Sequence, residues 1–354
     1  MTTLPETMRG AILLGPEKIE IRDVPVPRPR AGEILMKVEA ATTCGTDVKV
    51  FKRGGHPRML KVPTLFGHEM AGTIAAIGED VAAFRPGERI VVANSAPCGQ
   101  CDPCLRDLEN LCEDLHYLNG AFAEYLLVPK RFAERNTYAI PDGLSFEKAA
   151  LTEPLACVLH GIDACELPRY GAWGPIEIVV FGGGPIGLLF VAALAAAGQY
   201  VILADPNEDR LQAARDLGAA KTLRIDRGGG QSDRVRAETE GGKGAWIAVD
   251  ATGVPGVWLD AIASVRAGGL VNLFGGCAPG TSIALDTHLV HYSELTIKGV
   301  YHHRPKSIQK ALHLLADNRF PAERLITGEQ SIENTESALR SMIAKQALKV
   351  VIRG

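Results

Sequence analysis

Hydrophobic positions along this chain follow two rhythms. From Met8 to Pro141 the apolar runs are short, alternate with polar residues and are broken by turns, which is the period of half-buried strands. Residues 11–14, 18–21, 33–40, 71–77, 89–93 and 120–129 are predicted strands. Pro25, Pro27 and Pro29 alternate through a stretch that cannot donate ladder hydrogen bonds at those positions, so it reads as an extended connector. Thr46 or Asp47 is predicted to cap a short helix carrying Val48, Val50 and Phe51, and residues 52–63 read as a basic, solvated loop. Pro141 marks a turn that closes this β-rich region. From Ser145, a predicted cap, the period lengthens to that of a helix through Ala149, Leu155, Val158 and Ile162, kinked near Pro154.

From Ile176 onward strands and helices alternate, the pattern of a parallel sheet covered on both faces. Strands are predicted at 176–181, 200–204, 221–225, 246–250, 270–274 and 294–300, with an apolar helix after the first and another at 257–265. Beyond Pro305 the pattern reverts to helices at 305–315 and 333–345, followed by a short strand at 347–352 suited to the N-terminal sheet. One domain is therefore predicted over 1–155 and 301–354, with the other, 156–300, inserted into it.

Composition narrows the class. A chain of 354 residues, 46% apolar and 22% charged, holds two cored domains. A net charge of −3 gives no basic field for nucleic acid or an anionic membrane. The polar stretch from Met1 to Gly10 lacks the apolar core of a secretion signal, and the most apolar run, 186–197, is shorter than the roughly 20 residues of a membrane span. A cytoplasmic protein acting on a small molecule is the expectation. Eight cysteines, four of them crowded together, favour metal binding over a disulfide framework.

Cys98, Cys101, Cys104 and Cys112 have the spacing C-x₂-C-x₂-C-x₇-C. Four thiolates so close together can close a tetrahedral shell around Zn²⁺ with no open position, so this is read as a structural site, an iron–sulfur cluster being the runner-up. His68-Glu69, between Gly67 and Gly72, places an imidazole beside a carboxylate. A catalytic zinc needs three protein ligands and one open position, which Cys44, His68 and either Glu69 or Glu153 can supply. Gly182-Gly183-Gly184-Pro185-Ile186-Gly187 fits G-x-G-x-x-G between a strand and a helix. The first glycine makes the turn, the second lets the backbone approach a pyrophosphate, and the helix N-terminus faces that anion. Asp205 at the end of the next strand suits the ribose hydroxyls and repels a 2′-phosphate, favouring NAD over NADP. Arg210 completes the candidate cofactor set of Gly182, Gly184, Pro185, Ile186, Gly187 and Asp205.

This ordered set resembles the zinc-dependent medium-chain dehydrogenases, in particular their sorbitol (polyol) and threonine dehydrogenase branch. The shared stretches are Cys44-Gly45-Thr46-Asp47, Gly67-His68-Glu69, the four-cysteine cluster, Glu153-Pro154-Leu155-Ala156 and the glycine loop with Asp205. The resemblance implies a GroES-like catalytic domain with an inserted Rossmann domain, one catalytic and one structural zinc per subunit, NAD, and a homo-oligomer, dimer or tetramer. It implies hydride transfer from a secondary alcohol of a polyol, cyclitol or related compound, with Thr46 accepting the hydroxyl proton. It leaves open whether Glu69 or Glu153 holds the metal. Two departures bear on substrate. Lys49 stands where polyol and threonine members often carry a histidine, and Tyr301-His302-His303-Arg304 replaces an Arg-Tyr pair. Lys49, with some of Arg53, His56, Arg58, His302, His303 and Arg304, could form a cationic rim for an anionic substrate. An amino alcohol as substrate, and NAD binding without catalysis, stay open beside it.

Overall fold

The computed structural model describes residues 4–171, 174–317 and 319–354. Residues 1–3, the start of the polar N-terminal stretch, lie outside it. The first ten strands are β1 (Thr7–Gly15), β2 (Lys18–Pro25), β3 (Ile34–Thr42), β4 (Thr64–Leu65), β5 (Glu69–Ile77), β6 (Arg89–Val92), β7 (Ser95–Ala96), β8 (His116–Tyr117), β9 (Tyr125–Val128) and β10 (Thr137–Ala139). Then come β11 (Glu177–Phe181), β12 (Tyr200–Asp205), β13 (Lys221–Arg224), β14 (Ala245–Asp250), β15 (Val265–Leu273) and β16 (Thr296–Gly299), followed by β17 (Ile326–Ser331) and β18 (Lys349–Arg353).

The chain divides into two units. The first takes Met1–Ala156, His303–Asn318 and Leu325–Gly354. Its seven-stranded sheet has the order β10-β6-β5-β3-β18-β17, with β9 also pairing with β3. A three-stranded sheet β2-β1-β4 and the short ribbon β7-β8 complete it. β18 pairs antiparallel with β3 through Val351 opposite Thr42, so the C-terminal strand does join the N-terminal sheet, as its apolar run predicts. The core draws on both ends of the chain: Leu13, Ile34, Phe66 and Phe122 pack in one cluster with Leu339 and Ile352.

The second unit takes Cys157–His302 and Arg319–Arg324. Its six strands are all parallel, in the order β13-β12-β11-β14-β15-β16. That is the doubly wound order in which the chain reverses direction between β11 and β14, leaving a crevice at the strand C-termini. The central strands β11, β12 and β14 are largely apolar, as strands covered by helices on both faces are, whereas the edge strands β13 and β16 are half polar; Val179, Phe181, Ile202, Ala248 and Val271 form one buried cluster.

Several boundaries differ from the pattern-based expectation. The strand at 120–129 shortens to β9, and β10 occupies residues read as leading into a turn. The helix break falls at Leu151, between Phe146–Ala150 and Thr152–Ala164, three residues before Pro154. Pro154 therefore sits in the first turn of the second helix, where a missing N–H costs nothing. Ser145 does cap the first helix, accepting the Lys148 N–H at 3.4 Å. Among the described residues no helix is long and apolar enough to cross a membrane.

Candidate active site and metal centres

β3 ends at Thr42, and the chain turns through Thr43 and Cys44 into the helix Gly45–Arg53. Cys44 caps this helix: its Sγ accepts the Thr46 N–H at 3.4 Å, and its own N–H donates to Asp47 Oδ2 at 2.9 Å. This corrects the expected cap at Thr46 or Asp47. Side-chain oxygens outrank sulfur in cap preference, so composition pointed past the residue the backbone uses. Asp47 instead closes the capping box, and its Oδ1 lies 2.8 Å from His68 Nδ1, with both side chains almost completely buried. An acceptor-only carboxylate fixes the imidazole with its Nδ1–H toward Asp47, which leaves the Nε2 lone pair for a metal.

Cys44 Sγ, a His68 ring nitrogen and a Glu69 carboxylate oxygen lie within 4.8 Å of one another. Glu69 opens β5 opposite Thr42. Its Oε2 accepts from Thr42 Oγ1 and from Lys349 Nζ. Lys349, only 1% exposed, also donates to the Thr43 carbonyl at 2.9 Å. Glu69 Oε1 is buried without a hydrogen-bond partner. Such an oxygen is costly unless something takes it, so the sulfur, nitrogen and oxygen donors here fit a Zn²⁺ with one position left open.

Glu153 is not in that group of three. Its Oε1 lies 3.9 Å from His303 Nε2, which in turn is 2.9 Å from Asn94 Oδ1. Burial pushes the Glu153 carboxyl up to about 7, with the His68 charge opposing that rise and Glu69 adding to it. Of the two glutamates, the structure thus groups Glu69 with Cys44 and His68.

The four clustered cysteines also offer sulfurs within 4.8 Å of one another. Cys98 and Cys104 sulfurs are 4.0 Å apart, and those of Cys101 and Cys112 are 3.8 Å apart. The short helix Asp102–Leu105 and the 3₁₀ turn Glu109–Leu111 supply the curvature between them. Backbone N–H groups of Gln100 and Cys101 point at Cys98 Sγ and bring its pKa down to about 6, whereas burial pushes Cys104 up to about 12. A loop that aims amides at sulfur is built for thiolates, and four of them fit a closed zinc site.

In the second unit Gly182 turns the chain at φ +98°, a left-handed conformation that suits glycine. A Cβ at Gly187 would overlap the Gly182 carbonyl, whereas one at Gly184 would meet nothing within 4 Å. The third glycine therefore serves close helix–strand packing, and the second faces open space above the N-terminus of the helix Pro185–Ala196, with Pro185 and Ile186 in its first turn. Asp205, at the end of β12, accepts the Gly183 N–H at 2.6 Å and the Asn207 N–H at 2.8 Å. Burial lowers the Arg210 pKa while Asp205 and Asp209 oppose the shift, which puts an arginine in the field of Asp205 five positions along the chain.

Several of the residues offered for a cationic rim are engaged with other parts of the chain. His303 is buried against Asn94, Arg304 donates to the Asp107 carbonyl at 2.8 Å, and His56 Nδ1 accepts the Arg58 and Met59 N–H groups. The His302 carbonyl accepts from His160 at 2.8 Å. Lys49 is exposed on its helix and Thr46 is half-buried beside Cys44. Sequence reasoning missed Thr42, Lys349 and the pairing of Asp47 with His68. For Lys349 alone there is a signal, a lysine inside the otherwise apolar run 347–352.

The family models agree with this geometry. Residues 30–142 match the alcohol dehydrogenase GroES-like domain, and residues 185–317 match the zinc-binding dehydrogenase domain. The chain is 31% identical to sorbitol dehydrogenase of Bacillus subtilis, over 99% of this chain and 98% of that one. It is 34% identical to D-altritol 5-dehydrogenase of Agrobacterium fabrum, over 87% and 88%. A zinc-binding dehydrogenase of Sinorhizobium meliloti, solved bound to NADP, superposes with a TM-score of 0.89 at 28% identity, over 99% of this chain and all of that one. The chain belongs to the zinc-dependent medium-chain dehydrogenase family, and is an oxidoreductase with a GroES-like catalytic domain and a Rossmann domain.

Proposed function

We propose that this chain oxidises a secondary alcohol of a polyol or cyclitol to the ketone, passing hydride to NAD. The observation that carries the reading is the buried group of Cys44, His68 and Glu69 with an unpartnered Glu69 oxygen. The polyol class is supported by the sorbitol and altritol dehydrogenases among its relatives. NAD is supported by Asp205 at the end of β12. Family resemblance supports a cytoplasmic homo-oligomer, a dimer or tetramer.

Zinc held by Cys44, His68 and Glu69 would supply Lewis acidity to the alcohol oxygen, and NAD would supply the hydride acceptor. The rest falls to the protein. Asp47 orients His68, while Thr42 and Lys349 hold Glu69 by one oxygen so that the other is presented. Thr46, two residues beyond Cys44, receives the hydroxyl proton and passes it toward solvent. The substrate gives up one hydride, which NAD would accept, and one proton, which leaves through Thr46. Lys49 is exposed on the same helix, where a lysine suits an anchor for an anionic derivative of the substrate better than a relay. The four cysteines would hold a structural zinc.

A panel of polyols, cyclitols, amino alcohols and their acidic derivatives, assayed for NADH appearance with and without a chelator, tests this. Activity should be greatest on a neutral polyol or cyclitol and vanish on complete zinc removal. Activity that survives zinc removal, or a preference for an amino alcohol over every polyol, would overturn the assignment. A preference for NADP in the same assay would assign Arg210 to a 2′-phosphate instead.

A further inference from the structure

Asp250 ends β14 at the reversal of strand order, completely buried, and every oxygen it has is used. Oδ1 accepts from Thr252 Oγ1 at 2.6 Å, and Oδ2 accepts from the Gly253 N–H at 3.0 Å and from Trp258 Nε1 at 3.0 Å. Its carbonyl accepts from the Gly275 N–H at 2.7 Å and the Phe274 N–H at 3.1 Å. The Trp258 indole also donates to the Gly275 carbonyl at 3.1 Å. Gly275 is thus gripped at both its N–H and its C=O, by one aspartate and one tryptophan. The two loops meet backbone to backbone, for a Cβ at Gly253 would overlap the Gly276 carbonyl and one at Gly275 would come within 2.5 Å of Asp250 Oδ2. Beyond this grip Gly276 has open space where its side chain would be.

The position of this clamp decides what it serves. A sheet of this order consists of two mononucleotide-binding halves, and a dinucleotide lies across the crevice between them. The glycine loop and Asp205 belong to the half formed by β11, β12 and β13, which takes the adenosine end. The other mononucleotide then falls to β14, β15 and β16, and the clamp joins the loops that follow β14 and β15. We infer that Asp250 and Trp258 are positioning residues that fix the Gly275–Gly276 backbone as the support for the nicotinamide half of the cofactor. The inference rests on the dinucleotide reading above.

Its test separates the two halves of the cofactor. Calorimetric titration of the full-length zinc-loaded protein with NADH and with ADP-ribose, which lacks the nicotinamide, compares wild type with Trp258→Phe and Asp250→Asn. Trp258→Phe removes the shared N–H together with part of the ring; Asp250→Asn can set an amide donor against the donors of Gly253 and Trp258. Each variant should weaken NADH binding about tenfold, the worth of one or two hydrogen bonds, and leave ADP-ribose within about twofold. KM for NAD should rise more than kcat falls, with zinc content unchanged. Equal weakening of both ligands, or unchanged NADH binding, would overturn the inference; if Asp250→Asn does not fold, Trp258→Phe decides it. Wild-type protein that binds neither ligand would remove the dinucleotide reading itself, and the inference with it.

Discussion

Lys349 shows how much one residue can hinge on a partner far along the chain. It lies 280 positions from Glu69, and a lysine this buried needs its charge answered. Burial works to lower its pKa, but Glu69 and Cys44 together raise it, so it stays charged through the neutral range. Lys349→Met leaves the Glu69 carboxylate with Thr42 alone and, in metal-depleted protein, should destabilise the first unit by about 3–5 kcal/mol. Removing both charges in Lys349→Met/Glu69→Gln should recover much of that loss, because the pair is coupled. Denaturant unfolding of the four proteins checks it, and additive losses would show that the two charges do not depend on each other. The ligand candidates Cys44, His68 and Glu69 were legible in sequence because their side chains are metal donors by type. Thr42, Lys349 and the Asp47–His68 pair were not, since nothing in a linear pattern says which strand lands beside which. The cap at Cys44 was hidden for a different reason: a sulfur in that role runs against the preference for oxygen.

At the scale of elements, hydrophobic period located the long buried strands and helices and failed where burial is slight. β17 is mostly exposed and reads Ile326-Thr327-Gly328-Glu329-Gln330-Ser331, with no apolar alternation to betray it, yet it pairs in parallel with β18. β4, β7 and β8 are two residues each, too short for any period. Elements at such edges are joined by charge. Glu147, on the helix Phe146–Ala150, pairs with Arg353 at the end of β18, and Arg353 also reaches Glu329 on β17. Burial works to raise the Glu147 pKa, but Ser145, its own backbone N–H and Arg353 outweigh it, so the value lies below the usual 4.5. Because the folded value is depressed, the stabilisation is present above 4.5 and disappears as pH falls through that lower value. Glu147→Gln should therefore lower stability at pH 7 by at most about 1 kcal/mol, as befits a partly exposed pair, and match wild type once the pH is below the Glu147 range. Thermal melts at neutral and acid pH check this; a deficit that persists in acid would mean the pair is not the cause.

For the whole molecule, the chain passes from one unit into the other and back, and the consequence is an asymmetry in how the two units can fold. The parallel-sheet unit is nearly continuous in sequence: its apolar cluster runs from Val179 to Leu273, and its outlying piece, Arg319–Arg324, is tied by Arg324 donating to the Asp216 carbonyl. The other unit is split. β18 fills the place between β3 and β17, and Ile332, Leu339, Val350 and Ile352 belong to the same core as Leu13 and Phe66. Residues 157–302 expressed alone should fold, melt cooperatively and bind ADP-ribose, because the strands, the glycine loop and Asp205 are all present. Residues 1–156 alone should not, because β3 would lose its pairing with β18 at Ala41 and Thr42, the core would lose Leu339, Val350 and Ile352, and Glu69 would lose Lys349. Circular dichroism melts of both fragments, with calorimetry for ADP-ribose, decide between outcomes. A cooperative transition in 1–156 would mean that the N-terminal sheet is self-sufficient and that the C-terminal strand is an addition to it. A collapsed or unfolded 157–302 would mean instead that this unit depends on chain outside its own sheet.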